Sequence, residues 1–235
     1  MIPNRIYIAH KTKEEVIKYC EPLWNAINPE YTVYSYGNYD CMLFLMSNFG
    51  RLHVNVFNYI KDGPIKCDFW RVCILYKYGG VYADADIQPL VPIREIIEDG
   101  ITFLTAADFK LEKANPHLII STPGHPILKE CIDIYVDYFM KKKPYAYWAW
   151  SITNVMSLVL AKYAGISQFK EGIYKDVQLI SEIFPKGGSY NDVYCTYKDR
   201  RLLNNRVKNY DVDKHIFVDK NAVSKIPNLG FLHRR

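Results

Sequence analysis

The sequence predicts an α/β fold in which one mostly parallel sheet is flanked by helices. Short runs rich in β-branched and aromatic residues alternate with segments of helical periodicity. The chain has 235 residues, 49% of them hydrophobic, which is enough for one sizeable core. No linker, internal repeat or low-complexity stretch divides the sequence. We therefore expect a single domain over residues 1–235.

The first elements follow from local patterns. The run RIYIA at residues 5–9 has the composition of a β-strand. Thr12 and Glu15 then have the spacing of a capping box, which predicts a helix from there to about residue 27. The alternating run YTVYSY predicts a second strand over residues 31–36.

Three helices are predicted before the next strand. Asp40 is the expected N-cap of a helix over 41–49, and a second helical pattern covers 52–60. The third helix begins near Pro64, a residue favoured in the first turn, and continues to about residue 78. The glycines at 79 and 80 supply its left-handed exit.

The remaining elements become less regular toward the C-terminus. Further strands are expected over residues 81–83, 102–106, 117–121, 177–180 and 215–218. Further helices are expected over residues 92–98, 126–140 and 148–163. The rest of the C-terminal half is expected to be irregular.

Composition excludes several classes of protein. The net charge of +5 is too small to predict nucleic-acid binding. The six cysteines show no metal-binding spacing, so we expect reduced thiols and a cytoplasmic location. No window approaches the roughly 20 apolar residues of a membrane span. The basic run at residues 141–143 allows at most a peripheral membrane contact.

Asp84 and Asp86 are the first candidate site, because they follow a strand and lie two residues apart. In an extended segment their side chains would point the same way. Two such carboxylates repel each other unless a cation lies beside them. Mg²⁺ and Mn²⁺ prefer oxygen ligands, and Mg²⁺ typically binds one or two carboxylates together with substrate phosphates. A solvated acidic loop is the alternative interpretation.

The surrounding stretch, IKCDFWRVCILYKYGGVYADADIQPL, resembles the DxD sugar-binding region of glycosyltransferase family 32. This family includes the initiation α-1,6-mannosyltransferases, and the clostridial glucosylating toxins share its pattern. The matching positions are Asp68, Arg71, Gly79, Gly80, Tyr82, Asp84 and Asp86. The segments IPNRIYIAH and NPHLIISTPGHPIL are similar to further family motifs, so the resemblance covers about the first 130 residues.

The resemblance implies a GT-A-like domain in which residues 1–125 bind a nucleotide-sugar and 126–235 form a helical acceptor-side part. It implies transfer of a hexose from a UDP- or GDP-sugar to the hydroxyl of a glycan or other acceptor, with retention of configuration. Mn²⁺ or Mg²⁺ would be the cofactor.

It also implies roles for individual residues at the reacting end of the donor. Asp86 would bind the cation, and Asp84 would contact the cation or the ribose. Asp68 would accept hydrogen bonds from sugar hydroxyls, and Arg71 would donate to sugar or phosphate oxygens. His233 is the candidate for a third metal ligand.

The nucleoside end of the donor would be bound by the end of the first strand. Ile8 and Ala9 would offer backbone groups to the base edge, and Tyr82 would lie against the ribose. His10 stands where the family usually has a tryptophan that stacks on the base, and this departure weakens any conclusion about which base is bound.

Three questions stay open at the level of sequence. The D-x-D pair is also found in haloacid-dehalogenase-type phosphatases. A non-catalytic module that binds sugar-nucleotides is a second alternative. The aromatic run PYAYWAWS at residues 144–151 fits either a platform for an acceptor sugar or a helix-packing cluster.

Overall fold

The computed structural model describes residues 1–108, 110, 112–207, 209–211 and 213–218, with only the backbone of Tyr190. Its α-helices are α1 (Lys13–Glu15), α2 (Glu21–Ile27), α3 (Asn38–Phe49), α4 (Arg51–Tyr59), α5 (Gly63–Tyr78), α6 (Pro126–Met140), α7 (Tyr147–Trp150) and α8 (Ile152–Ala164). A π turn, Val16–Cys20, joins the first two, and 3₁₀ turns lie at Ile93–Glu95 and Tyr190–Asp192.

The strands continue well beyond the helices. They are β1 (Arg5–Ala9), β2 (Thr32–Tyr36), β3 (Gly80–Ala83), β4 (Gln88–Pro89), β5 (Phe103–Asp108), β6 (Lys113–Ser121), β7 (Gly172–Tyr174), β8 (Val177–Ile183), β9 (Tyr194–Tyr197), β10 (Arg200–Asn204), β11 (Tyr210–Asp211) and β12 (Ile216–Phe217).

One large sheet has the order β2-β1-β3-β6-β5-β8-β9-β10-β4, with β7 beside β8. Strands β1, β2, β3, β5, β8 and β10 run in one direction, and β4, β6 and β9 run in the opposite direction. The antiparallel β6 has a simple cause, since the few residues between Asp108 and Lys113 can close a hairpin but not a crossover. The predicted α/β class with flanking helices is confirmed. Most strands of this sheet share one direction, although the neighbours of β6 and the pairs from β8 to β4 are antiparallel.

Alternating side chains divide the core between the two faces of this sheet. In β3, Tyr82 packs into a cluster with the helices α3 to α8, whereas Val81 and Ala83 pack into a second cluster with α2 and the C-terminal strands. Both clusters consist of residues that are almost completely buried. This two-sided burial explains why β3 carries no polar residue until its end.

Two local predictions need correction. The predicted helix over 13–27 is interrupted by the π turn, which immediately precedes the turn that contains Pro22, a residue with no amide hydrogen for the helical ladder. Asp40 is not the N-cap of α3. Gly37 is, and the Asp40 carboxylate reaches back to accept a hydrogen bond from the Gly37 amide at 2.9 Å.

Among the described residues of the part over 126–235, the α-helices end at Ala164. Six strands follow between Gly172 and Phe217, and β8, β9 and β10 join the same sheet as the N-terminal strands. Strands β7, β9 and β10 are short and only partly buried, so they lack a clear sequence pattern. The division of one domain into a donor part and an acceptor part stays a prediction.

Within the ranges described above, no helix is both long and apolar enough to cross a membrane. The six cysteines are free thiols, five of them buried. The expected cytoplasmic location stays a prediction.

Candidate active site

The site is built on the link between α5 and β3. Both glycines of this link have positive φ angles, 62° at Gly79 and 102° at Gly80. A Cβ on Gly79 would lie 2.6 Å from the backbone nitrogen of Pro123, and one on Gly80 would lie 2.6 Å from the carbonyl oxygen of Arg5. Only glycine combines this conformation with so close an approach of the neighbouring backbone. The double glycine therefore brings α5 tightly against the sheet.

The carboxylate pair lies in a turn that follows β3, not in extended chain. The amide of Ile87 donates to the carbonyl of Asp84 at 3.1 Å, which closes the turn. Asp84 and Asp86 nevertheless line the same cleft, which has a volume of about 560 Å³. This volume is within the range of ligand pockets, roughly 300 to 1,000 Å³. From the sequence, we expect the two side chains to point the same way because the segment would be extended. In the structure both side chains line one cleft, but the backbone between them forms a turn.

Asp84 is held by two neighbours that bind the same oxygen. Its Oδ1 accepts a hydrogen bond from the Tyr82 hydroxyl at 2.6 Å and lies 3.0 Å from Nη2 of Arg71. The Arg71 guanidinium also lies over the Tyr82 ring, 4.3 Å from its centroid. About a third of the Asp84 side chain is exposed. Its second oxygen, Oδ2, is therefore left for a ligand.

Arg71 and Asp68 form a buried ion pair behind the cleft wall. Nη2 of Arg71 lies 2.8 Å from Oδ1 of Asp68, and Oδ2 of Asp68 accepts from the amide of Ile152 at 2.9 Å. Burial raises the pKa of Asp68 to about 6, although Arg71 opposes the shift. Burial disfavours the charge of Arg71, yet the Asp84 carboxylate and its neighbours keep the Arg71 pKa well above its ordinary value.

An irregularity in β6 orients these groups. The register with β5 jumps from Thr105 opposite Ile119 to Ala106 opposite Asn115. The carbonyl of Pro116 in this stretch accepts from Nη1 of Arg71 at 2.6 Å. The carbonyl of His117 accepts from the amide of Asp84 at 2.8 Å. Through these two hydrogen bonds the irregular strand holds both Arg71 and Asp84 in place.

Asp86 contacts Arg206, a residue that the sequence analysis did not select. Nη1 of Arg206 donates to Oδ2 of Asp86, whose side chain is 9% exposed. The carbonyl of Asp86 also accepts from the amide of Val207 at 2.7 Å. Arg206 follows β10, which pairs with β4, so the fold of the sheet rather than a motif brings it here. No local sequence signal distinguishes it from other surface arginines.

His10 joins the end of β1 to the C-terminal strands. Its Nδ1 lies 2.7 Å from Oε2 of Glu15, and its Nε2 lies 3.1 Å from the carbonyl oxygen of His215. The rings of Tyr210 and Phe217 meet its ring edge-on, at 6.0 and 5.8 Å. Burial lowers the pKa of His10, against the opposing effect of Glu15. His10 lines the cleft, but two neighbouring rings already pack against it.

The other predicted contacts with the nucleoside lie near β1 and β3. Ala9 lines the cleft, whereas the Ile8 side chain is completely buried in the core. Tyr82 lines the cleft with its hydroxyl committed to Asp84. Asp68 lies behind Arg71 and has two protein partners, so its direct contact with a sugar hydroxyl stays a prediction. His233 lies outside the described residues.

The pair of aspartates fits a divalent cation by the chemistry of its ligand atoms. Two carboxylates lie in one cleft, and Oδ2 of Asp84 has no partner among the described contacts. In the part of the chain that the structure describes, no cluster of three His, Cys, Asp or Glu side chains could hold a metal ion. Two carboxylates with remaining positions for substrate oxygens are the usual arrangement for Mg²⁺.

Comparison with known proteins supports the sequence interpretation. Residues 12–101 match the model of the family described as "Glycosyltransferase sugar-binding region containing DXD motif". This range contains α5, β3 and the carboxylate pair. The chain therefore resembles this glycosyltransferase family over residues 12–101, and the predicted resemblance is confirmed.

The curated relatives and the solved structure to which the chain is similar are also named as glycosyltransferases. The chain is 28% identical over 107 residues to a human alpha-1,4-N-acetylglucosaminyltransferase, covering 46% of this chain and 28% of the relative. It is 24% identical over 135 residues to the initiation-specific alpha-1,6-mannosyltransferase of Candida albicans, covering 56% and 32%. The chain thus spans about a third or less of these relatives. The PaToxG glycosyltransferase structure aligns with a TM-score of 0.51 at 15% identity over 68% of each chain, which supports the GT-A-like fold.

Proposed function

We propose that this protein is a metal-dependent glycosyltransferase that moves a hexose from a UDP- or GDP-sugar to a hydroxyl acceptor, with retention of configuration. The observation that carries the proposal is that Asp84 and Asp86 line one cleft, directly after the segment in which α5 leads through Gly79 and Gly80 into β3. We call this segment the α5–β3 frame. That frame lies within the residues that match the DXD family model.

Asp84 and Asp86 would hold the divalent cation, Mn²⁺ or Mg²⁺, through Oδ2 of Asp84 and the carboxylate of Asp86. When bound, such an ion neutralises charge on a departing diphosphate. Arg71 cannot replace it, because its guanidinium is already committed to Asp68, Asp84 and the carbonyl of Pro116. Its role in this proposal is to keep Oδ1 of Asp84 occupied and the carboxylate fixed.

Arg206 is assigned to the diphosphate. In the absence of a ligand its guanidinium neutralises Asp86. With a cation at that carboxylate, the Arg206 guanidinium would be available to phosphate oxygens, to which it would donate strong charge-assisted hydrogen bonds. Lys11 and Lys214 also line the cleft, and Nζ of Lys214 lies 3.2 Å from the carboxylate of Asp211. A net positive rim suits a donor that carries two phosphates.

Transfer would break the bond between the anomeric carbon and the diphosphate oxygen and form one to the acceptor oxygen. No carboxylate of this chain is assigned as a nucleophile. We expect the departing diphosphate to accept the proton of the acceptor hydroxyl on the same face of the sugar, which preserves configuration. The human and Candida relatives are named as transferases of N-acetylglucosamine and mannose, which supports a hexose-type donor here.

The test is a thermal-shift panel of UDP-, GDP- and ADP-sugars, each with and without Mn²⁺. A ligand that binds the native state raises the melting temperature by mass action. We expect one nucleotide class to stabilise the protein, with the larger shift when Mn²⁺ is present. No stabilisation by any nucleotide-sugar would contradict the proposal.

Two measurements separate the alternatives. A phosphatase would hydrolyse p-nitrophenyl phosphate, an activity that we do not expect. A non-catalytic binding module would bind the donor without hydrolysing it, whereas a transferase is expected to hydrolyse the donor slowly when no acceptor is present.

A further inference from the structure

The aromatic run at 144–151 divides into one buried anchor and an exposed pair. Of the four tryptophans in the chain, Trp24, Trp70 and Trp150 are at most 2% exposed, whereas Trp148 is 66% exposed. Tyr147 is also exposed, at 42%. An indole ring with this much free surface is unusual, because tryptophan is highly buried on average. The packing interpretation of the run therefore applies to Trp150 and leaves Trp148 unexplained.

The backbone that displays Trp148 is fixed on both sides. The Trp150 ring packs against Tyr138 and Tyr59 at 5.3 and 5.5 Å, and its Nε1 donates to the carbonyl of Pro144 at 3.2 Å. The carbonyl of Trp148 accepts hydrogen bonds from the Ser151 hydroxyl at 3.2 Å and from the Asn154 amide. The backbone that carries the exposed ring is therefore fixed before any ligand binds, which lowers the cost of binding.

Trp148 lies beside the candidate active site. Its ring meets the Tyr147 ring at 5.3 Å and 82°, and Tyr147 lines the same cleft as Asp84 and Arg71. The following helix, α8, is tied to that site because the amide of Ile152 donates to Asp68. The two rings therefore extend the cleft wall outward from the carboxylate pair.

Polar side chains lie next to the backbone of Trp148. The Asn154 side chain bonds the Trp148 carbonyl through Nδ2 and accepts from Nζ of Lys113 through Oδ1, at 2.7 Å. Both Lys113 and Asn154 are half-exposed. A flat apolar ring is complementary to the apolar face of a pyranose, and the hydrogen-bonding groups near its backbone suit the hydroxyls of the sugar.

We propose that Trp148, with Tyr147, is the stacking platform for a sugar ring of the acceptor, so that the acceptor is a glycan. This inference rests on the proposed function and names the class of its second substrate. Trp148 binds the acceptor sugar face, and Lys113 and Asn154 bind hydroxyls at its edge.

A membrane surface is the competing occupant, because Lys141, Lys142 and Lys143 are near in sequence. Two of these cations already have partners in the protein: Nζ of Lys141 lies 2.9 Å from Asp137, and Nζ of Lys143 lies 3.5 Å from the centroid of the Tyr138 ring. Anionic lipid is attracted by clusters of several free cations. The structure therefore favours the sugar.

The exposure pattern provides a direct experiment. Iodide in solution quenches exposed indoles, so we expect the quenchable emission of the native protein to come from Trp148 and to disappear in Trp148→Phe. Methyl glycosides of mannose, glucose, galactose and N-acetylglucosamine are added in turn, with glycerol at matched hydroxyl concentration as control. We expect at least one glycoside, and not glycerol, to protect the emission from iodide.

A second arm measures transfer to the glycoside that protects. Trp148→Ala should raise its apparent KM about tenfold, equivalent to about 1.4 kcal/mol. Leu158→Ala, which changes a side chain 64% exposed on α8, is the matched control and should leave KM unchanged. Trp148→Phe keeps a ring and should have an intermediate effect.

The inference is overturned if no glycoside protects, or if phosphatidylcholine–phosphatidylserine vesicles protect and glycosides do not. An unchanged acceptor KM in Trp148→Ala would also overturn it. The quenching results are independent of donor binding, whereas the KM comparison requires transfer: if nucleotide-sugars fail to stabilise the protein while glycosides protect Trp148, the proposed transferase function fails and the sugar platform stands.

Discussion

At the scale of single residues, the site is a balance of opposite charges in a partly buried cleft. Each carboxylate of the pair contacts a different arginine, Asp84 with Arg71 and Asp86 with Arg206. Removing one partner of such a buried pair leaves the other charge uncompensated, which is costly. The two arginines differ in their partners, however: Arg71 has three acceptors, whereas the hydrogen bonds of Arg206 within the described residues go to Asp86 and the carbonyl of Asn205.

Arg206→Gln should therefore weaken the binding of nucleotide but not the binding of Mn²⁺ alone. We expect Kd for UDP or GDP in the presence of Mn²⁺ to rise about tenfold or more, the loss of one charge-assisted hydrogen bond. Mn²⁺ alone should bind at least as tightly, because its competitor for Asp86 is gone. Isothermal calorimetry measures both values.

Arg200→Gln, at an exposed arginine of β10, is the matched control for charge. Unchanged nucleotide affinity in Arg206→Gln would remove Arg206 from the binding site.

Asp68 makes a prediction about pH. Its folded pKa of about 6 lies above the ordinary value of 3.8, so the native state binds this proton more tightly than the unfolded state does. Its contribution to stability is therefore fully present below pH 3.8 and is lost as the pH rises through about 6.

Urea unfolding of the wild type and of Asp68→Asn measures this contribution between pH 4 and 7. The wild type should gain stability relative to the variant as the pH falls, by at most about 3 kcal/mol. A difference that does not depend on pH, or one of opposite slope, would show that Asp68 titrates normally.

At the scale of elements, the turn between α5 and β3 determines whether the carboxylates reach the cleft. Gly80 combines a φ of 102° with direct contact to the backbone of β1. Gly165, at the end of α8, has a φ of 67° but open space around its Cα. A substitution at Gly165 therefore measures the cost of the left-handed conformation alone. A substitution at Gly80 adds the cost of steric overlap with β1.

Gly165→Ala should lower the free energy of unfolding by about 1 kcal/mol, the ordinary cost of a left-handed residue. Gly80→Ala should cost at least about 2 kcal/mol more, since the carbonyl of Arg5 cannot move without separating β1 from β3. Thermal unfolding compares them directly. Equal losses would mean that the contact between β1 and this turn is not tight.

The same scale shows what sequence can predict. The helices α5 and α6 follow from periodicity, Pro64 and Pro126 near their starts, and the glycines after α5. The π turn before α2 and the strands β7, β9, β10 and β11 were not predicted, because runs of two to five residues carry no clear period, whereas β8 and β12 overlap the expected strands over 177–180 and 215–218. Local sequence signals therefore predicted α5, α6 and the glycines after α5 better than they predicted the C-terminal strands.

At the scale of the whole molecule, the site depends on pairing between distant strands. Asp86 and Arg206 are 120 positions apart, and they meet because β10 pairs with β4 just after the carboxylate turn. His10 and His215 meet through the end of β1 and the C-terminal hairpin. A motif predicted Asp68, Arg71, Asp84 and Asp86, whereas Arg206, and the choice of Trp148 within the aromatic run 144–151, required tertiary structure.

The most direct test of the central claim is calorimetry of UDP and GDP binding with Mn²⁺ and after its removal by chelation. If Asp84 and Asp86 hold a cation that carries the nucleotide, removal of the metal should weaken binding at least tenfold, about 1.4 kcal/mol. Asp86→Asn should abolish this dependence, whereas Asp133→Asn, at an exposed carboxylate on α6, should preserve it. Nucleotide affinity that is the same with and without metal would contradict the account.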